Sequence, residues 1–458
     1  MCILTLVTNL HYSRLTTDPI PKLLLTLAIP SSIGFFFNTM YNVVDMLVAG
    51  YLSTQALASL SISFPIFFTL IAIGMGVGTG ATTLIANALG KNDEAAAKRY
   101  AKQTISFGVL LGITISILGT LVTPSFLTLL GAEGAYLATA SNYLFTIFCG
   151  SIFITMTFMF NAILNAVGDT KSYRNVLIAS FFINSLLSPT LAFGWFGLPT
   201  LSILGIALAT IVSNALSALY LWHKVRGTRL IKQESWGKYV PDVKSYLDIA
   251  GQGFPVSLSM MTISIGAFII MYFVSSFGEI TVAGYGVALR VEQMVLIPGI
   301  GITVAVLTLI SQNNGAEKYD RVREIIRVAI RYSLYLSTLA AVFILFFSKY
   351  VMGIFTDDQA VINSGVGYLS VAAFITWAYG LLFVTNSVFR GLKRPLFPLL
   401  IGILRQVILP FPLLWFAITV LNFDILEVWW IIFAIVWIAA IIAMIYVRNV
   451  VNKVCVGC

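Results

Sequence analysis

Long apolar blocks separated by short charged connections make up almost the whole chain. Between Lys22 and Lys91, for example, the only residue with a formal charge is Asp45. Each block is long enough to hold helices of about 20 residues, the length that spans the hydrocarbon core of a bilayer. The pattern predicts twelve membrane helices, near residues 22–50, 56–89, 95–123, 135–165, 172–194, 202–223, 246–275, 281–314, 320–348, 360–389, 395–420 and 426–448.

Composition indicates a membrane protein with little soluble structure. Of the 458 residues, 59% are hydrophobic and 10% are charged, whereas about a quarter of the residues in soluble domains are charged. The predicted fold class is therefore an all-α membrane protein with the lipid bilayer as its main partner. The predicted divisions are a cytoplasmic lead-in at 1–21, a first half at 22–223, a cytoplasmic linker at 224–245, a second half at 246–448 and a cytoplasmic tail at 449–458.

The distribution of basic residues predicts the orientation. The chain has 27 Lys and Arg residues, and all but three lie near its two ends or near every second connection between predicted helices. The exceptions are Lys349, Arg290 and Arg405. Because positive charge is retained on the cytoplasmic side, we expect a multi-pass inner-membrane protein with both termini in the cytoplasm. The net charge of +9 follows from this topology, and no nucleic-acid partner is expected.

The second half of the chain repeats features of the first at an offset of 225 residues. Since each half has six helices, the copies share one orientation and form two six-helix bundles related by a parallel repeat. The first helix of each half contains a proline, which permits a bend, and bending at Pro30 is a candidate gating motion. The matching pairs include Pro30 with Pro255, Gly74 with Gly299, Gly76 with Gly301, Tyr143 with Tyr368 and Asn161 with Asn386.

Asp45 is the first candidate functional residue. A carboxylate within an apolar span costs roughly 2.5–3.5 kcal/mol on insertion scales, so such groups usually face a bundle interior and take part in function. Asn38, Tyr41 and Asn42 precede it at spacings that place them on its face of the helix. We interpret Asp45 as an ion-coupling site, and the alternative is a structural Asp hydrogen-bonded to a neighbouring helix.

The other ionisable groups within the predicted spans are Arg290, Glu292 and Arg405. Arg290 and Glu292 are two residues apart and so do not share one helix face. Each belongs either to a structural polar network, with Arg405 as one partner, or to a substrate cavity or second ion site. The chain has no HExxH motif, phosphate loop or nucleophile elbow. We therefore expect no enzymatic activity, no cofactor and no metal centre.

Four segments together resemble the multidrug and toxic compound extrusion (MATE) family. They are AIPSSIGFFFNTMYNVVDMLVAGYLS in the first predicted helix, ANALGKNDEAAAKR after the second, LNAVGDTKS after the fourth and ILGIALATIVSN in the sixth. The resemblance runs from about residue 22 to residue 448. It implies two six-helix lobes in a V-shaped arrangement. It also implies a monomer that exports lipophilic organic cations while H⁺ or Na⁺ enters.

Within this family, the Asp of the first helix and the lack of a carboxylate in the seventh resemble the DinF-like branch. There the amino-terminal lobe holds the coupling site, which by motif would comprise Asp45, Asn161, Asn184 and Thr210. Ser188 stands where the motif Asn-x-x-x-Asp-Pro would place a second carboxylate. The resemblance allows Na⁺ at Asp45, Asn184 and Thr210. Because hard cations favour several charged oxygens, protonation of Asp45 is the expected coupling event.

These features favour a secondary active multidrug or organic-cation efflux antiporter coupled at Asp45. The candidates for its substrate cavity are Asn38, Tyr41, Asn42, Arg290 and Glu292. One alternative is a lipid-linked saccharide flippase of the same wider superfamily, for which only Arg290 and Arg405 supply positive charge within the spans. Another is a membrane scaffold or integral membrane enzyme that does not transport.

Overall fold

The computed structural model describes residues 14–231 and 240–456, which are almost entirely helical. Eleven helical segments of this part of the chain are long and apolar enough to cross a membrane, and a bent pair adds a twelfth. The predicted all-α membrane fold is therefore confirmed. The helices are α1 (Ile20–Leu52), α2 (Thr54–Gly90), α3 (Glu94–Leu129), α4 (Gly134–Cys149), α5 (Ser151–Ala166), α6 (Lys171–Phe193), α7 (Ile203–Arg226), α8 (Val243–Val274), α9 (Glu279–Gly315), α10 (Tyr319–Met352), α11 (Gln359–Gly391), α12 (Leu396–Ile403), α13 (Pro410–Thr419) and α14 (Ile425–Val456).

The fourth span is broken, which the apolar pattern did not predict. Helices α4 and α5 meet at Gly150 and are bent by 47°. A side chain at Gly150 would collide with the side chain of Ile211 on α7. Glycine at this point therefore lets α7 approach the break closely.

The eleventh span contains a π-helical turn, Leu404–Ile408, between α12 and α13. The N–H of Leu409 donates to the backbone oxygen of Leu404 at 2.9 Å, five residues back. Pro410 follows directly and has no N–H to continue the α-helical ladder. The wider turn carries Arg405, and such π-bulges are frequent at functional sites.

Helix α14 extends beyond residue 448, where the sequence pattern placed its end. Val447, Val450 and Val451 lie at helical spacing and are buried in the same apolar cluster as α10 and the start of α1. Residues 449–456 are therefore helical and continue α14. The predicted linker at 224–245 lies partly outside the described residues.

The helices form two compact units. The amino-terminal unit is Ile33–Ser257, and the carboxy-terminal unit combines the residues up to Ser32 with those from Leu258 onward. Both boundaries fall inside a helix, at positions of α1 and α8 that are 225 residues apart. The units thus differ from the two sequence halves. The first part of α1 belongs to the carboxy-terminal unit and the first part of α8 belongs to the amino-terminal unit, so these two helix starts are exchanged.

In the amino-terminal unit, Ser257 fixes the exchanged start of α8. Its hydroxyl donates to the backbone oxygens of Gly253 and Ile73 at 3.3 and 3.4 Å. A side chain on Gly76 would collide with Ser257. The helix backbones therefore pack directly against each other at this point, as small residues permit in membrane bundles.

The carboxy-terminal unit repeats this arrangement at the exchanged start of α1. The Ser32 hydroxyl donates to the backbone oxygens of Ala28 and Pro298 at 3.0 and 3.3 Å. A side chain on Gly301 would collide with Ser32. Each of these residues follows or precedes its counterpart in the other unit by 225 positions, so the internal repeat extends to individual hydrogen bonds.

Candidate functional site

Asp45 is buried within the amino-terminal unit. Together with Val48 and Ala49 it forms a buried stripe at helical spacing along α1, and its exposed fraction is 7%. The Ser188 hydroxyl of α6 donates to Asp45 Oδ1 at 3.0 Å, and the Thr210 hydroxyl of α7 donates to Oδ2 at 3.3 Å. Three helices thus converge on one carboxylate, and each of its oxygens accepts a hydroxyl.

Asn184 lies one turn before Ser188 on α6, and both side chains are fully buried. Asn184 is adjacent to Asp45 and Tyr41. Its amide nitrogen and oxygen nevertheless have no hydrogen-bond partner of normal geometry among the described residues. A buried amide without partners is destabilising, so Asn184 has unused hydrogen-bonding capacity beside Asp45.

Two tyrosines complete the surroundings of Asp45. The Tyr41 hydroxyl is buried and has no hydrogen-bond partner within the described part of the chain. Tyr143 of α4 is 5% exposed and interacts electrostatically with Asp45. Sequence reasoning did not assign Tyr143 to the site, although its pairing with Tyr368 in the repeat singled it out.

The remaining candidates lie elsewhere. Asn161 is on α5, its side-chain oxygen has no hydrogen-bond partner among the described residues, and it makes no hydrogen bond to Asp45 there. Asn38 and Asn42 are exposed, and the Asn42 amide donates to the backbone oxygen of Asn38 at 2.8 Å. Arg290 is exposed and Glu292 is buried, both in the carboxy-terminal unit. The structure therefore gathers Asp45, Asn184, Ser188, Thr210 and Tyr41.

The oxygen atoms of this site come from one carboxylate and from several uncharged side chains. The described residues contain no cluster of three His, Cys, Asp or Glu side chains. Around Asp45 the other oxygens belong to the uncharged side chains of Asn184, Ser188 and Thr210. A proton needs one carboxylate oxygen, whereas a hard cation needs a shell of several oxygens.

An apolar groove of the amino-terminal unit is lined by residues that neighbour Asp45 and Ser188 in the chain. It has a volume of about 570 Å³, and its lining includes Val44 and Val48 of α1, Pro189 of α6 and Trp195. Val44 and Pro189 are the chain neighbours of Asp45 and Ser188. This volume lies within the range of roughly 300–1,000 Å³ that is typical of small-molecule sites.

Membrane-length helices that converge on a buried carboxylate are typical of membrane transporters. The family model MatE matches residues 30–190 and 255–416, and the starts of the two matched regions are again 225 residues apart. The chain belongs to this family, the MATE transporters.

Individual relatives match over most of the chain. The probable multidrug resistance protein YoeA of Bacillus subtilis is 27% identical over 410 residues, which cover 88% of each chain. The FAD transporter of Shewanella oneidensis is 25% identical over 407 residues, covering 87% of this chain and 88% of the relative. A solved structure of a multidrug resistance MATE family transporter in an outward-facing conformation covers 96% of this chain and 98% of its own, with 23% identity and a TM-score of 0.90.

Proposed function

We propose that this chain is a secondary active efflux antiporter that exports lipophilic organic cations while H⁺ enters, with Asp45 as the coupling group. The observation that carries the proposal is a buried carboxylate whose two hydrogen-bond donors, Ser188 and Thr210, are uncharged. Multidrug resistance in the names of a relative and of a solved neighbour agrees with this function. The protein acts as a monomer in the inner membrane, with both termini in the cytoplasm.

Coupling requires that the two ligands favour different states of the protein. When ionised, Asp45 accepts both hydroxyl donors and attracts a cationic substrate. A proton on Oδ1 or Oδ2 removes the charge and makes that oxygen a donor, for which the unpartnered oxygen of Asn184 is a nearby acceptor. Protonation therefore rearranges the contacts between α1 and α6 and weakens attraction for the exported cation.

The apolar groove beside Asp45 suits the lipophilic part of such a substrate. Asp45 does not line this groove, but its chain neighbour Val44 does, and the negative charge of Asp45 disfavours anions in a low-dielectric setting. The relative named as an FAD transporter suggests a second candidate, export of a larger anionic solute. Arg290, exposed on α9, is the residue that would favour that substrate or the lipid-linked saccharide of a flippase.

The test is export of ethidium from everted membrane vesicles under separate H⁺ and Na⁺ gradients. We expect export driven by H⁺ in the native protein and its loss in Asp45→Asn. Glu133→Gln is the matched control, because Glu133 is an exposed carboxylate that makes no capping hydrogen bond at the start of α4.

Each other outcome has a defined meaning. Gradient-driven export that survives in Asp45→Asn contradicts the assignment of the coupling group. Export driven by Na⁺ alone contradicts proton coupling. If ethidium is not exported under either gradient, while the native protein moves FAD or a lipid-linked saccharide and requires Arg290, the organic-cation proposal is wrong.

A further inference from the structure

The carboxy-terminal unit contains a buried carboxylate of its own. Glu292 of α9 is 4% exposed. The Tyr368 hydroxyl of α11 donates to Glu292 Oε2 at 2.8 Å. Oε1 is also buried but has no hydrogen-bond partner within residues 14–231 and 240–456. The coupling at Asp45 makes no use of this group.

Packed aromatic rings surround Glu292. Tyr285 contacts Tyr368 and Trp429, with ring centroids 5.0 and 5.1 Å apart, and Tyr368 contacts Trp429 at 4.9 Å. All three rings are at most 5% exposed and belong to one apolar core cluster. Because the rings pack against one another, they leave no space between them for an organic cation.

Few charged or titratable groups face Glu292 in the described residues. They are Tyr285 of its own helix, Tyr368 and Tyr379 of α11, and Arg405 of the π-helical turn. The Arg405 guanidinium lies over the ring of Tyr379, 5.4 Å from its centroid. Arg405 also interacts electrostatically with Glu292, while Glu292 Oε1 has no hydrogen-bond donor among the described residues.

The internal repeat relates this group to the coupling site. Tyr368, which donates to Glu292, is the counterpart of Tyr143, which lies beside Asp45. The carboxylates themselves are not counterparts, since residue 270, opposite Asp45, is Ile. Each unit therefore places the same tyrosine next to a carboxylate that comes from a different helix.

A buried carboxylate oxygen without a donor is destabilising as long as the group is ionised. A proton on Oε1 removes the charge and needs no added space. A Na⁺ ion would need several oxygens around it. The oxygen seen in contact with the Glu292 carboxylate is the hydroxyl of Tyr368. We propose that Glu292 is a second proton-binding site, which exchanges H⁺ independently of Asp45.

The role of this site in transport rests on the proposed function, but proton binding by Glu292 does not. The first measurement is therefore spectroscopic. Purified protein in lipid nanodiscs is titrated from about pH 9 to about pH 5, a range in which ordinary carboxylates stay ionised. Infrared difference spectra record the carbonyl absorption of protonated carboxyl groups.

We expect a carbonyl band that is absent in Glu292→Gln and present in Asp45→Asn. Tyr368→Phe should shift this band, because it removes the donor to Oε2, whereas Tyr143→Phe should leave it unchanged. Glutamine keeps an acceptor for Tyr368, and retention of the native elution volume and helical content shows that the variant is folded. If the difference spectra of native protein and Glu292→Gln are identical, Glu292 does not bind or release a proton in this pH range and the proposal is wrong.

The second measurement places the site in the transport cycle. Vesicles report proton uptake per ethidium exported, which we expect to fall to about half in Glu292→Gln if each carboxylate carries one proton. An unchanged ratio contradicts a coupling role for Glu292. If native protein exports no ethidium while the Glu292 band is present, the proposed function fails and the proton site stands.

Discussion

The charge of the proposed coupling site depends on one residue. The Ser188 hydroxyl lies 3.0 Å from Asp45 Oδ1, at the position where the motif of the DinF-like branch would place a second carboxylate. A hydroxyl at this point donates to Asp45, whereas a carboxylate would repel it or share a proton with it. The identity of residue 188 therefore decides whether the site holds one negative charge or two.

Replacing Ser188 by Asp should introduce Na⁺ dependence. Two carboxylates at this separation attract a cation more strongly than one, so we expect Na⁺ to stimulate export by Ser188→Asp and to leave export by the native protein unchanged. The measurement is ethidium export against Na⁺ concentration at constant pH. Ser185→Asp, one turn nearer the start of α6, is the control. Equal Na⁺ responses of both variants would contradict the assignment.

Asp242, which precedes α8, provides a pH-dependent contact outside the spans. Its carboxylate accepts the Ser245 hydroxyl and the backbone N–H groups of Lys244 and Ser245. The hydrogen bond from the Ser245 hydroxyl is the main cause that lowers the pKa of Asp242 below its ordinary value of 3.8. Folding therefore favours the ionised carboxylate, and this contribution is present above that value and is lost as the pH falls through the lowered pKa.

Substitution Asp242→Asn should lower the melting temperature at neutral pH. The difference from the native protein should begin to shrink as the pH falls below 3.8, where the unfolded chain takes up its proton, and should be smallest below the lowered pKa of folded Asp242. Thermal unfolding followed by circular dichroism at several pH values checks this. A difference that is independent of pH would show that the charge of Asp242 does not contribute.

At the scale of helices, the exchanged ends of α1 and α8 depend on direct backbone contact. Gly76 and Gly301 are counterparts in the repeat, and a side chain at either would collide with a serine of the helix packed against it. Their serines, Ser257 and Ser32, each donate to the facing helix. Both helices contain a proline two residues before this serine, so the contact lies next to the point where each helix can bend.

The variants Gly76→Ala and Gly301→Ala should each lower the stability of the protein by about 1–3 kcal/mol, the usual cost of overpacking. Gly286→Ala is the matched control, because Gly286 lies on the same helix as Gly301 and has open space around its Cα. Thermal unfolding in detergent compares the three. Equal stability of Gly301→Ala and Gly286→Ala would contradict close packing at the exchanged ends.

At the scale of the whole molecule, the proposed orientation follows from the basic residues rather than from any single contact. The connection between α10 and α11 should be outside, and the connection between α2 and α3 should be in the cytoplasm. The exposed residues Asp357 and Lys91 report on these two connections. Topology thus becomes measurable with one substitution on each side.

In a chain whose four native cysteines are replaced by serine, Asp357→Cys should react with a membrane-impermeant maleimide in intact cells. Lys91→Cys should react only after the membrane is permeabilised, because the intact bilayer blocks the reagent. Labelling of Lys91→Cys in intact cells would show that the orientation is opposite to the proposed one. The retained export activity of both variants shows that the labelled proteins are correctly inserted.

Sequence alone determined the features that depend on composition and local spacing. A bilayer requires long apolar helices, so most span ends could be located to within a few residues, although α3 and α14 extend further than predicted. The 225-residue repeat could be read from matched Pro, Gly and Asn residues. The family followed from several motifs in order. Within one helix, spacing also predicted which neighbours share a face, although Asn38 and Asn42 proved to be exposed.

Only the tertiary structure decided which helices bring their polar groups together. Helical spacing fixes the direction of a side chain on its own helix, but the distance to another helix depends on packing between them. Packing places Ser188 and Thr210 on Asp45, leaves Asn161 without a hydrogen bond to it in the described chain, and adds Tyr143. For the same reason the exchanged ends of α1 and α8 appear only in the folded protein, because close contact at glycine carries no signal in a hydrophobic pattern.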